Sequence, residues 1–209
     1  LEALGRPAAD ADVLQSFIEL VDPSAAEPWT LEYLRVAQVM VVLGDCLFIH
    51  GAVRTSGLLL IPAEDCRDGD PDRQPPPLRL LDATPLEVWA AELNAWKARQ
   101  LRLFEAYPHF VKDRPTGGER WRGGQPLMMP SLVGCHVVTD SFLRRGNGSA
   151  LDRDVAAYLA RNGIRRVFAG HAPQGQSPGV MRTPDEGITV VVADTSFSNV
   201  HSDKSRNPA

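Results

Sequence analysis

Val41-Val42-Leu43-Gly44-Asp45-Cys46-Leu47-Phe48-Ile49-His50-Gly51 reads as two short buried strands folded into a hairpin. Each side is a run of apolar and β-branched residues too short for a helix, and Gly44-Asp45 supplies the two-residue turn. A second unit later in the chain has the same grammar. Arg165 to Ala169 is a short strand, Gly170-His171-Ala172-Pro173-Gln174-Gly175 a tight polar loop, and Ile188 to Ala193, apolar except for Thr189, another buried strand. Continuous apolar strands belong in the interior of a sheet covered by helices, so periodicity alone predicts an α/β fold.

Helical spacing fills the rest. Leu14, Phe17, Ile18 and Val21 recur on one face, predicting a helix over 10–21 that stops at Asp22-Pro23. Thr30 is the expected N-cap of a second helix, with Leu31, Leu34, Ala37 and Val41 on its face. Thr84 and Glu87, with Pro85 at the first helical position, form a capping box for a long helix through about Tyr107. That helix has Leu86, Ala90, Leu93, Trp96, Leu101 and Phe104 to bury. Ser149 and Asp152 open another helix, Leu151 to Asn162, which Gly163 ends in the left-handed position. Pro62 to Pro85 holds six prolines and five aspartates, so a surface insertion is expected at about 62–84. An irregular excursion at about 108–135 leads into an expected strand from Leu132 to Val138, within a single domain spanning 1–209. Trp89, Trp96 and Trp121 are expected to pack the insertion against the core.

Composition excludes several function classes. Lys and Arg number 22 against 26 Asp and Glu, a formal charge of -4, which leaves no strongly basic face for a nucleic acid. Cys46, Cys66 and Cys135 form no Cys-x-x-Cys pair and are odd in number, against a disulfide framework or a thiolate zinc site and in favour of a reducing, cytoplasmic setting. The longest apolar stretch, Val36 to Ile49, is broken by Gln38, Gly44 and Asp45, so no membrane span is expected. Gly175-Gln176-Ser177-Pro178-Gly179 has the letters of a nucleophile elbow, but Pro178 lacks the N–H that an oxyanion hole needs there.

His50 and His171 share a setting, each at the end of an apolar strand with a glycine beside it. Strand ends bring side chains to the rim of a sheet, where a neutral imidazole can offer nitrogen to a metal. The plainer reading of each is a hydrogen-bonded structural histidine. His109 and His136 have no recognisable partner and read as structural.

Gly44-Asp45-Cys46-Leu47-Phe48-Ile49-His50-Gly51-Ala52 resembles the strand and His-Gly motif of calcineurin-like metallophosphoesterases, and Val167-Phe168-Ala169-Gly170-His171-Ala172-Pro173-Gln174-Gly175 resembles their later strand and Gly-His motif. The strand that ends in Asp194-Thr195-Ser196 is similar to the return strand that follows. The resemblance covers residues 41–53 and 164–196. It implies a β-sandwich of two mixed sheets flanked by helices, and hydrolysis of phosphate esters by two divalent ions, manganese, iron or zinc, that clamp a phosphate and lower the pKa of a bridging water. His50 and His171 would ligate one of those ions. Arg54, three residues after Gly51, would reach the phosphate from the rim, a solvated arginine being the plainer reading.

The family's earlier motifs, Asp-x-His, Gly-Asp-x-x-Asp-Arg and Gly-Asn-His, are not found. Gly69-Asp70-Pro71-Asp72-Arg73 and Gly146-Asn147-Gly148 imitate them out of order and read as turns. The expectation is therefore the C-terminal half of a longer phosphoesterase domain, in keeping with a chain that opens on Leu1 rather than Met. The partner expected is a phosphorylated substrate: a phosphoprotein, a nucleotide or a small phosphoester, with neither nucleic acid nor membrane. The alternative is a non-catalytic interaction domain, a pseudo-phosphatase without the N-terminal metal ligands.

Overall fold

The hairpin forms as its residues dictate. Strands β1 (Met40–Leu43) and β2 (Cys46–Ile49) pair antiparallel from Leu43 opposite Cys46 to Met40 opposite Ile49, and Gly44 turns the chain at φ 59°, where a side chain would be strained. The computed structural model describes residues 9–64, 77–110, 122–127, 137–144, 147–148, 151–173 and 177–195. Among them α1 (Asp10–Val21), α2 (Trp29–Val36), α3 (Leu86–Ala106) and α4 (Arg153–Arg161) are the α-helices. Two small ribbons, β3 (Leu60–Ile61) with β4 (Leu78–Arg79) and β5 (Leu143–Arg144) with β6 (Asn147–Gly148), lie apart from the main sheet. No helix of the described residues is long and apolar enough to cross a membrane.

The main sheet is mixed. With β7 (Arg166–Ala169), β8 (Gly179–Arg182) and β9 (Thr189–Val192), its order is β1-β2-β7-β9-β8. The central pairs, β2 with β7 and β7 with β9, run parallel, and both edge pairs run antiparallel. The architecture is thus mixed α/β, as the strand and helix alternation predicts. Alternation of side chains gives the sheet two different faces. Leu47, Ile49, Val167, Ala169, Val190 and Val192 are buried, in one cluster with Leu86, Trp89, Leu93 and Trp96 of α3 and with Val155, Tyr158 and Leu159 of α4. The register also aligns a second row, Val41, Phe48, Phe168, Val191 and Val180, on the opposite face. There Phe48 and Phe168 stack with ring centroids 4.9 Å apart, and Phe48 keeps 39% of its surface exposed.

α3 is the strut of the core. Trp89 and Trp96 are fully buried, each worth about 4–6 kcal/mol of gross burial. Their indole N–H groups donate to the carbonyls of Leu60 and Ala63, both at 3.2 Å, so neither is buried unpaired. Asn94 fixes the helix to β1: its Oδ1 accepts from Val39 N–H at 2.9 Å and its Nδ2 donates to the Met40 carbonyl at 2.8 Å.

Several boundaries differ from the sequence reading, each for a local reason. α2 starts at Trp29, because Glu32 N–H donates to the Pro28 carbonyl, so Thr30 lies inside the first turn instead of capping it. α3 starts at Leu86, whose N–H is taken by Asn162 Oδ1 at 3.0 Å, and Thr84 contributes its carbonyl to the Tyr158 hydroxyl. Burial pushes that phenol up to about 12. The insertion begins inside the protein: Pro62 and Ala63 are buried, and Glu64 pairs with Arg99 at 2.6 Å. A proline that cannot join a ladder still packs well at its margin. Residues 65–76, with the turn at 69–73, lie outside the described residues, as do Cys66, Trp121, Cys135, His136, Ser149 and most of the strand expected over 132–138. Leu151 and Asp152 precede α4, whose end is marked by Gly163 at φ 80° as expected. The strand β8 has no counterpart in the sequence reading.

Candidate functional site

Parallel pairing of β2 with β7 sets Cys46 opposite Arg166 and Phe48 opposite Phe168, so the two strands end side by side. The ladder continues one step further, where Gly170 N–H donates to the His50 carbonyl at 2.9 Å. His50 leaves the sheet just after β2, and His171 two residues after β7. The structure brings these side chains together: His50 Nε2 lies 3.2 Å from His171 Nδ1, with the rings at 67° and their centroids 5.2 Å apart. In the ordinary tautomers one nitrogen donates and the other accepts.

Each neighbouring glycine does a different job. A Cβ on Gly51 would stand 2.4 Å from the Asp140 carbonyl and 2.6 Å from that of Val137, so this glycine lets the 137–140 turn close over the end of β2. A Cβ on Gly170 would meet the His50 carbonyl at 3.5 Å and Asp194 Oδ2 at 3.7 Å, which is ordinary contact. Asp194, just past β9, therefore stands across Gly170 from the histidines. The strand ends enclose a shallow depression of about 420 Å³ lined by Phe48, His50, Phe168, Gly170 and Asp194.

His171 has φ 75°, the left-handed region that a side-chain-bearing residue enters at a cost of about 1–2 kcal/mol. Burial lowers the pKa of His50 below its usual 6.5, the neighbouring imidazole of His171 lowers it further, and Asp194 opposes both. His50 is thereby held in the neutral form near pH 7, with a ring nitrogen lone pair to offer.

The separation of 3.2 Å also fits two vertices of one coordination shell. Nitrogens about 2.1 Å from an ion stand about 3.0 Å apart at octahedral angles and about 3.4 Å at tetrahedral ones. The donor set is incomplete, however. Among the described residues no group of three or more His, Cys, Asp or Glu side chains is placed to hold one ion. Two imidazole nitrogens fill only two vertices of such a shell.

Arg54 sits away from the depression. Its residue is 6% exposed, Nη2 donates to the Ser141 carbonyl at 2.8 Å, Nη1 lies 3.7 Å from Asp152 Oδ1, and the guanidinium stands over the Phe142 ring at 5.2 Å. These contacts tie the loop after His50 to the start of α4. His109 is exposed. Asp194 carries no signal in the sequence, since its approach to His50 depends on β7 and β9 pairing in parallel.

On the other side of His50 lies a second, larger cavity of about 500 Å³ between α2, α3 and the 122–127 turn. Lys97 on its wall donates to the Leu34 and Ala37 carbonyls, closing the C-terminal end of α2. No family model, no curated protein and no solved structure matches this chain significantly.

Proposed function

We propose that this chain carries the late histidine ligands of a metal-dependent phosphoesterase, acting on a phosphorylated substrate in the cytoplasm. The observation that supports it most is the 3.2 Å approach of His50 Nε2 and His171 Nδ1 at the ends of two parallel strands. His50 and His171 would hold one divalent ion, manganese, iron or zinc, on adjacent vertices, and further carboxylate and imidazole donors would complete a binuclear site. Such a pair of ions, when bound, supplies positive charge against the phosphate and a lowered water pKa. The chain's own residues do the rest: neutral His50 offers its lone pair, the strained turn at His171 aims the second nitrogen, and Phe48 and Phe168 floor the depression. Arg54 anchors the loop behind His50.

The apolar row Phe48, Phe168 and Val191, of which Phe48 is exposed and the other two half-buried, supports the finer reading of a two-sheet sandwich, since a second sheet covers such a row. The same row favours the second reading, a non-catalytic interaction domain, in which a partner takes that place. Metal separates the two. Titration with manganese should show binding that His50→Ala and His171→Ala each abolish; no binding leaves the interaction reading. An aryl phosphate assay with manganese should give no turnover by the 209-residue chain. The same chain placed behind a segment with Asp-x-His and Gly-Asn-His motifs should turn over. Turnover by the short chain refutes the need for further donors, and full activity of the extended His171→Ala protein refutes the site.

A further inference from the structure

α1 has the sequence of a core helix and the surroundings of a surface one. Val13, Leu14, Phe17, Ile18 and Val21 fall on one broad apolar stripe. None of the helix's residues is buried, and these five keep between 39% and 60% of their surface exposed. α1 packs against α2, which has two unlike sides. Leu31 is buried, and the Leu34 and Ala37 carbonyls accept from Lys97, so one side of α2 is fastened to the core. Trp29, Tyr33 and Val36 recur on another side, 57% to 78% exposed, with Trp29 stacked on Tyr33 at a centroid distance of 6.1 Å. Among the described residues, nine of the sixteen exposed large apolar side chains lie in these two helices, which is a concentration rather than ordinary surface scatter.

Charge says what covers this region. Residues 9–36 hold six carboxylates, Asp10, Asp12, Glu19, Asp22, Glu27 and Glu32, against the one basic residue Arg35, a net of -5 where the whole chain carries -4. All of the net negative charge is therefore here. Arg35 is itself held between Glu32 at 2.5 Å and Glu105 at 3.1 Å. A second copy would set like charge against like charge, and an anionic lipid surface would repel a helix that has neither Lys nor Arg.

We propose that the α1–α2 face docks a cationic amphipathic helix of a partner protein. Both helices hydrogen-bond their own backbones, so the face has no ladder for an added strand and offers instead an apolar stripe for side chains spaced three and four apart. The 12 residues of α1 span about 18 Å, room for about three turns of the partner. Asp10 and Asp22 mark the two ends of α1, and Glu32 precedes Tyr33 on α2, so Lys or Arg at the ends and along one flank of the incoming helix meet opposite charge. The stripe supplies affinity, and the charges supply steering and orientation. This inference is independent of the metal reading of His50, and either can fail alone.

Fluorescence anisotropy with the 209-residue chain tests it. The probe is a labelled synthetic helix of about 18 residues, with Leu at every third or fourth position and Lys elsewhere. Its controls are the same peptide with Glu in place of Lys, and a scramble of the same Lys and Leu content. The amphipathic Lys peptide should bind about tenfold more tightly than either control. Phe17→Ser combined with Ile18→Ser should weaken it about tenfold, whereas Leu81→Ser, at a position 80% exposed outside both helices, should leave it unchanged. Asp10→Asn combined with Glu32→Gln keeps the stripe and should weaken it about threefold, deciding the matter should the serine variant lose its cooperative thermal transition. Equal binding of the Lys peptide and either control overturns the proposal, as does affinity that survives in the folded serine variant or in the charge variant. Absence of peptide binding overturns it too. A dimer in sedimentation equilibrium, or flotation with phosphatidylserine or phosphatidylcholine vesicles, that the serine variant abolishes gives the face to a second copy or to lipid and overturns it likewise.

Discussion

Glycine at position 171 should leave the chain more stable than alanine at the same position. The backbone there sits at φ 75°. For a residue with a Cβ this region costs about 1–2 kcal/mol, and alanine retains that cost while glycine escapes it. Against the gain stands the larger freedom of glycine in the unfolded chain, about 0.4–1 kcal/mol. Both substitutions lose the same contact with His50, so it cancels from the comparison. The difference left is about 1 kcal/mol in favour of His171→Gly, or a melting temperature about 2–4 °C higher in a chain of this size. Urea unfolding of the two variants side by side, with manganese titration of each, makes the test. Both should lose metal binding. If His171→Ala proves as stable as His171→Gly, the turn is not strained, and the argument that backbone energy is spent there to aim a ligand collapses.

Stability should depend on pH through His50, whose folded pKa lies below the unfolded 6.5. The unfolded state binds the extra proton, so stability is full above about pH 6.5 and falls as pH drops through the folded value. His50→Gln should flatten that part of the profile, and an unchanged slope would exclude His50 as its source. Gly51→Ala should cost about 1–3 kcal/mol, because a Cβ 2.4 Å from a backbone oxygen forces the 137–140 turn outward, whereas Gly170→Ala should be mild on steric grounds; thermal melts that rank them the other way would contradict the close approach. Asn94→Leu should destabilise by about 2–4 kcal/mol, leaving the Val39 N–H and the Met40 carbonyl unpaired at the start of β1, and a loss below 1 kcal/mol would show that water replaces the amide.

Much of the sheet was legible because its strands are short, apolar and punctuated by glycine. Gly44-Asp45 predicted the β1–β2 turn, and Arg165 to Ala169 and Ile188 to Ala193 contain β7 and β9 within a residue at either end. The setting of His50 and His171 was visible too, but not their distance, which follows from a parallel register between segments remote in sequence. β8 escaped for a different reason. Gly179-Val180-Met181-Arg182 carries weak strand preference of its own and becomes a strand because β9 offers it a ladder, with Val180 opposite Val191. Local rules also favoured Thr84 as a cap, where Asn162 from the far end of α4 reaches the Leu86 N–H instead. The cavity beside His50 is invisible in one dimension, since its walls come from α2, α3 and two separate turns.

Parallel pairing of β2 with β7 also governs how this molecule comes into being. His50 and His171 are 121 residues apart, so at about 5–20 residues per second the ribosome delivers the second half of the site about 6–24 s after the first. Throughout that interval Leu47 and Ile49, which end buried, have no β7 beside their strand. Closing so long a loop is entropically unfavourable, and the contacts that reward it arrive together and late. Refolding from denaturant should therefore be slow and prone to aggregation at high concentration.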